Sequence, residues 1–146
     1  MSVRSSCARP MRRDLKLPLK PKLRLTRQQR EKRGRDAESA AALWLRFKGY
    51  RILDLRAKTP KGEIDLIASK GKMLIFVEVK AREDRGRALE AVTPDLQRRV
   101  QDAANIWVSR KPKLANWLWR FDIVLIAPGG MPRHMRDAWR AEAPRT

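Results

Sequence analysis

Gly62-Glu63-Ile64-Asp65-Leu66-Ile67-Ala68-Ser69-Lys70-Gly71-Lys72-Met73-Leu74-Ile75-Phe76-Val77-Glu78-Val79-Lys80 reads as two β-strands joined at Lys70-Gly71. Runs of β-branched and aromatic residues broken by a glycine dipeptide are the pattern of a hairpin. The later strand, Lys72 to Arg82, is apolar on both faces until Glu78 and Lys80. Those two share a face, because side chains along a strand repeat every second residue. A charge in a buried strand is costly unless paired, so the simplest reading is a Glu78–Lys80 ion pair. With Lys70-Gly71 as a two-residue loop, Glu63 faces Glu78, and Asp65 lies diagonally from Glu78 on the same face. Carboxylates set opposite one another destabilise a strand pair. Three carboxylates and one lysine converging call for a further cation, and hard oxygen donors suit Mg²⁺ or Mn²⁺.

Outward from the hairpin, the pattern predicts a strand over Tyr50 to Leu55, a turn at Thr59-Pro60-Lys61-Gly62, and the strand Glu63 to Ala68. Upstream, Ala37, Ala40, Ala41, Trp44, Leu45 and Phe47 recur at helical spacing. Thr26 with Gln29 is a candidate capping box and Gly34 a rival start. Gly49 suits the C-terminal stop. Downstream, Glu83 to Arg87 reads as a loop. Thr93-Pro94 opens a second helix with Leu96, Val100, Ala103, Ala104 and Trp107 on one face, ending near Lys111-Pro112. Phe121 to Ala127 is a fourth strand, Pro128-Gly129-Gly130 a turn, and Arg133 to Trp139 a short strand or helix. The order predicts an α/β fold: a central mixed sheet flanked by helices.

The 146 residues suit one domain, and 35 Lys and Arg against 16 Asp and Glu give a net charge of +19. That surplus attracts polyanions, nucleic acid first and anionic membrane second. Residues 1–33 carry a large share of it, with Asp14 and Glu31 as their acids. They read as a basic, flexible N-terminal tail ahead of a domain at 34–146, because they hold too little apolar content to fold alone. The tail is either an arm tracking phosphates or a mobile extension. Cys7 is the one cysteine, so no disulfide framework forms within a chain and a reducing cytoplasm is expected. There is no apolar run long enough for a membrane span and no apolar core of a secretory signal.

Glu38 borders the apolar stripe of the first helix. It is read as a further metal ligand, or as a backbone cap or a partner for Arg35. A carboxylate–metal centre of this kind hydrolyses phosphodiesters: the metal polarises the phosphoryl oxygen and acidifies water, while Lys80 orients or deprotonates that water or offsets charge. His134 reads as a surface or packing residue, since no second His or Cys stands near it. Trp44 and Trp107 read as core. Trp117 and Trp119 read as core before base-stacking platforms.

Gly62-Glu63-Ile64-Asp65-Leu66-Ile67, Phe76-Val77-Glu78-Val79-Lys80-Ala81-Arg82 and Arg120-Phe121-Asp122 together resemble the YraN-like uncharacterised bacterial family over about residues 34–140. That family is similar to Holliday-junction resolvases and the PD-(D/E)xK nucleases. The resemblance implies a restriction-endonuclease-like fold, with Asp65 and Glu78 as metal ligands, Lys80 catalytic and Glu38 the helix carboxylate. Glu63 and Gln97 are additional candidates. At Leu96 the family pattern often carries Lys. The expectation is a metal-dependent endonuclease-like protein acting on DNA more than RNA, on branched or structured substrate, with Mg²⁺ or Mn²⁺. Two-strand cutting favours a homodimer. The alternatives are a non-catalytic nucleic-acid-binding protein keeping the nuclease fold, and a partner-docking protein with a basic tail.

Overall fold

Helix α1 (Arg27–Phe47) starts at a capping box. The Thr26 hydroxyl accepts from the Gln29 N–H at 3.2 Å, and the Gln29 side chain accepts from the Thr26 N–H at 2.9 Å, so two orphan donors are satisfied reciprocally. The helix runs through Gly34 without a new start. The computed structural model describes residues 24–81, 85–127 and 129–141. The expected tail therefore falls outside the described residues for 1–23, while 27–33 form the opening turns of α1. Gly49, with φ 91°, closes the helix. Its N–H bonds the Arg46 carbonyl and that of Tyr50 bonds the Leu45 carbonyl, the paired pattern of a left-handed glycine cap.

The strands are β1 (Arg51–Thr59), β2 (Gly62–Lys70), β3 (Met73–Lys80), β4 (Leu118–Leu125) and β5 (Arg133–Trp139), hydrogen-bonded in that order. The β3–β4 pair is parallel and the others are antiparallel, so the sheet is mixed. A parallel neighbour requires a crossover. Helices α2 (Arg85–Ala91) and α3 (Pro94–Ser109) and a 3₁₀ turn (Pro112–Leu114) supply it. Thr93 caps α3 by accepting from the Leu96 N–H, with Pro94 in the first turn.

One sheet face packs on α1, with Ala41, Ala42 and Leu45 against Leu66, Ile75, Val77 and Val124. The other packs on α3, with Val100, Ala103, Ala104 and Trp107 against Ile67, Leu74, Phe76 and Ile123. Phe76 makes edge contacts with the Trp107 and Trp119 rings. Trp119 and Trp117 are partly buried against the same cluster, as core packing requires. The indole N–H of Trp107 donates to Asp54 at 3.0 Å.

Four expectations are corrected. Loop Glu83–Arg87 gives way to α2 from Arg85 onward: Ala88 is fully buried and Val92 nearly so, and that packing sustains a helix too short to persist alone. Strand β1 continues past Leu55 to Thr59 because β2 offers it a ladder, Ala57 opposite Ile64 and Thr59 opposite Gly62. Phe47 is 84% exposed and stacks on a half-buried Trp44. Of the apolar stripe of α1, only its small residues and Leu45 reach the sheet. Finally, the hairpin loop is Gly71-Lys72, with Lys70 opposite Met73. Gly71 takes φ 59° at the first loop position, where a two-residue hairpin favours a left-handed residue. No helix is long and apolar enough to cross a membrane among the described residues.

Candidate active site

The one-pair shift of the hairpin rearranges the carboxylates. Leu66 pairs with Val77, and one further step sets Asp65 opposite Glu78. Glu63 therefore does not face Glu78, contrary to the expected register. It is exposed and pairs with Lys58 of β1. Ladder pairing between β2 and β3 stops at Leu66–Val77 although β2 continues to Gly62. The strands part there, and a side chain fills the fork: Asp65 Oδ2 accepts the Val79 N–H at 2.9 Å.

Glu78 and Lys80 continue the row begun by Leu74 and Phe76, as strand alternation requires. Glu78 is buried, and Lys80 Nζ lies 3.0 Å from its carboxylate, so the simple ion pair is present. Asp65 is pushed up to about 7. Burial contributes most, then the adjacent Glu78 charge; the Val79 N–H opposes, and Glu38 adds to the rise. Glu38, Asp65 and Glu78 thus share one electrostatic neighbourhood although they come from a helix and two strands.

Arg56 is the member that sequence reasoning missed. It forms an ion pair with Glu38, and that hydrogen bond is the largest cause holding its guanidinium above the usual range, with Glu63 and Asp65 also contributing. Its φ of 50° is a strained conformation for a non-glycine residue, worth about 1–3 kcal/mol. Such strain persists where surroundings enforce it. The register on either side, Leu55 with Leu66 and Ala57 with Ile64, sets Arg56 across from Asp65. Ending β1 at Leu55 hid that position. The alternative partner for Glu38, Arg35, is not the one it takes.

Gln97 turns elsewhere. Its amide donates to the Val92 carbonyl at 3.2 Å, tying α3 to the end of α2, and it lines a small cavity with Trp139 and Arg140. Leu96 packs against the α3-side core, which accounts for an apolar residue there. Among the described residues, no group of three or more His, Cys, Asp or Glu side chains is set to hold a metal ion. Arg56 engages Glu38 and Lys80 engages Glu78. The two-carboxylate set Asp65 and Glu78 nevertheless fits a hard divalent cation: Mg²⁺ keeps several waters and binds through one or two carboxylates plus substrate phosphate.

A second polar network lies on the face covered by α1. Asp122, fully buried, accepts from Arg120 at 2.8 and 2.7 Å, from the Asp137 N–H at 2.9 Å, and pairs with His134 Nε2 at 2.6 Å. Burial works to raise the Asp122 pKa, but His134, Arg120 and the Asp137 amide together hold it below the ordinary value. Arg120 also donates to the Tyr50 hydroxyl at 2.9 Å. Asp122 is the hub of this network. His134 is a packing residue whose side chain is 1% exposed; its partners come from distant segments, which a search for neighbouring His or Cys could not find.

The model of "Uncharacterised protein family UPF0102" matches residues 37–126. The chain belongs to the UPF0102 family. This is the YraN-like family that the GEIDLI and FVEVK segments suggested. The UPF0102 protein of Maricaulis maris is 49% identical over 113 residues, covering 77% of this chain and 89% of its own. That of Parvibaculum lavamentivorans is 50% identical over 107 residues, 73% and 80% respectively. That of Paramagnetospirillum magneticum is 46% identical over 116 residues, 77% and 90%. The family match includes Glu38, Arg56, Asp65, Glu78, Lys80 and Asp122, and leaves the basic N-terminal segment outside.

Proposed function

We propose that this UPF0102 protein is a metal-dependent endonuclease-like phosphodiesterase acting on DNA, in the manner of the PD-(D/E)xK nucleases, with a restriction-endonuclease-like fold. The observation that carries the reading is the Asp65–Glu78 pair in the β2–β3 fork. Two facing carboxylates, one buried enough to hold its proton to about pH 7, with Lys80 at 3.0 Å, form a centre that a divalent cation relieves. Asp65 and Glu78 are the residues that would hold Mg²⁺ or Mn²⁺, and Glu38 would join by exchanging its Arg56 contact. When bound, the metal supplies Lewis acidity toward the phosphoryl oxygen and the attacking water. Lys80 donates a hydrogen bond to that water or to the phosphoryl oxygen, with Glu78 fixing its position. Arg56 offsets phosphate charge once Glu38 releases it, and Glu63 lies near enough to Arg56 to steer it. The net charge of +19 concentrates the polyanion at the surface. Branched DNA, a homodimer and a cytoplasmic setting extend the same reading.

A second reading is favoured by the closed ion pairs: Arg56–Glu38 and Lys80–Glu78 neutralise carboxylates without metal, as in a non-catalytic nucleic-acid-binding protein. Cleavage of linear and four-way-junction DNA with Mg²⁺ or Mn²⁺ separates the two. The nuclease reading expects cleavage by the wild type and its loss in Asp65→Ala and in Glu78→Ala. Undiminished cleavage by both variants refutes it. Metal-independent binding by all three proteins, with no turnover, establishes the second reading.

A further inference from the structure

A line of hydrogen bonds runs from the buried carboxylate of Asp122 through His134 to the ammonium of Lys48. His134 Nε2 lies 2.6 Å from Asp122 and Nδ1 lies 2.8 Å from Lys48 Nζ. An ammonium only donates, so Nδ1 is the acceptor, and Nε2 carries the proton given to Asp122. Asp122 is saturated by Arg120, His134 and the Asp137 amide, so its charge is already committed. Lys48 itself is partly exposed, and no carboxylate among the described residues pairs with it. A fully satisfied buried network of this kind fixes geometry; here what it fixes is a cation at the protein surface.

Two further cations converge on the same point. Lys70 donates to the Lys48 carbonyl at 3.1 Å and stands 5.2 Å from the centre of the Tyr50 ring. Arg136, on β5 two residues beyond His134, is exposed and has no hydrogen-bond or ion-pair partner among the described residues. Lys48 is held below its ordinary pKa, first by desolvation and then by Arg136, with Lys70 adding to the effect. Tyr50 and Asp122 work in the opposite direction, but Asp122 is already engaged by Arg120, His134 and the Asp137 amide, and an anion relieves the repulsion that remains among the three cations. The segments involved are the end of α1, the end of β2 and the middle of β5, so only the fold assembles them. Among the described residues, no hydrogen bond or ion pair joins this cluster to Asp65, Glu78 or Lys80.

We infer that Lys48, Lys70 and Arg136 form a phosphate-binding site, separate from the carboxylate centre, that takes a backbone phosphodiester of DNA. The inference rests on the nucleic-acid reading above. A point contact of this type carries no base information and fixes the register of the duplex on the protein. It also contributes to the salt dependence of binding, because each neutralised phosphate releases counterions.

The test is binding of a short fluorescent DNA duplex to the full chain in EDTA, between about 50 and 200 mM salt. The variants are Lys48→Gln, Arg136→Gln and their combination, with exposed Lys113→Gln as control. All of the changes are at surface cations, and circular dichroism verifies folding. Each single change at the site lowers the slope of log affinity against log salt by about 1. The double variant therefore loses about tenfold less affinity than the wild type across that salt range, while Lys113→Gln keeps the wild-type slope. Inorganic phosphate, titrated against the amide resonances of Lys48, His134 and Arg136, shifts them in the wild type and not in the double variant. Wild-type slopes in both site variants overturn the inference and leave the nuclease reading intact. Phosphate binding without DNA binding overturns the phosphodiester assignment together with the nucleic-acid reading.

Discussion

Replacing Asp65 by Asn should stabilise the protein at neutral and alkaline pH while abolishing the DNA cleavage proposed for it. The carboxyl is raised from 3.8 to about 7 in the fold, by burial first and by Glu78 second. A carboxyl raised in this way contributes stability that is complete below the unfolded value and is lost as pH rises through the folded one. Relative to a side chain that never ionises, the loss is about 0.5 kcal/mol at pH 4, about 2 kcal/mol at pH 5 and about 4 kcal/mol at pH 8. Asparagine preserves shape and an acceptor for the Val79 N–H at 2.9 Å. A neutral acceptor is weaker than a charged one by about 1 kcal/mol. The variant should therefore match the wild type near pH 4 to 5 and exceed it by about 3 kcal/mol at pH 8, close to 10 °C in Tm for a domain of this size. Urea unfolding of both proteins from pH 4.5 to 8.5 in EDTA measures the difference, in which groups remote from Asp65 cancel and the response of Glu78 beside it is included. Adding Mg²⁺ should then raise the wild-type midpoint and leave the variant unmoved, since a ligand stabilises only the state that binds it. A stability difference that stays flat across the pH range would refute the view of Asp65 as a partly buried carboxylate under electrostatic load.

Lys80→Met leaves Glu78 buried beside Asp65 without its countercharge at 3.0 Å. Stability in EDTA should fall by about 1–3 kcal/mol, and the proposed cleavage at saturating DNA by about a hundredfold or more, because the group proposed to orient water or offset charge is gone. Asp122→Ala strips Arg120, His134 and the Asp137 amide of a shared acceptor in the core, and chemical denaturation should show a loss of about 3–5 kcal/mol. Because Asp122 is held below the ordinary carboxylate value, its stabilising contribution is present at neutral pH and is lost as pH falls through that lowered value. The gap between wild type and Asp122→Ala should accordingly narrow in acid.

Most of the chemistry-bearing residues can be found along the chain because strand periodicity is local. Glu78 and Lys80 two residues apart, and Asp65 on the neighbouring strand, share a face under either hairpin register, since the observed shift moves β2 past β3 by a whole pleat. The same shift decided which residue faces Glu78. That choice turned on whether Gly71 opens or closes the loop, and the left-handed φ at Gly71 settles a question that Lys70-Gly71-Lys72 leaves open as letters. Arg56 was illegible for a different reason. Nothing in Leu55-Arg56-Ala57-Lys58 marks a strand, and β1 extends there only because β2 supplies a partner.

By itself, then, the sequence determined the two long helices and the first four strands, the apolar character of β3, the net charge of +19 and membership of the UPF0102 family through its two strand motifs. These depend on near neighbours, on composition, or on the order of letters. Tertiary structure decided the partners: Asp65 rather than Glu63 opposite Glu78, Arg56 on Glu38, Gln97 on the Val92 carbonyl, and the Asp122–His134–Lys48 line drawn from β4, β5 and the end of α1. A buried charge must be matched by whatever group the fold brings within about 3 Å. For Asp122 only Arg120 is a near neighbour, two residues back on the same strand; His134 and the Asp137 amide come from β5, and His134 in turn meets Lys48 from the end of α1, separations over which neither periodicity nor propensity carries information.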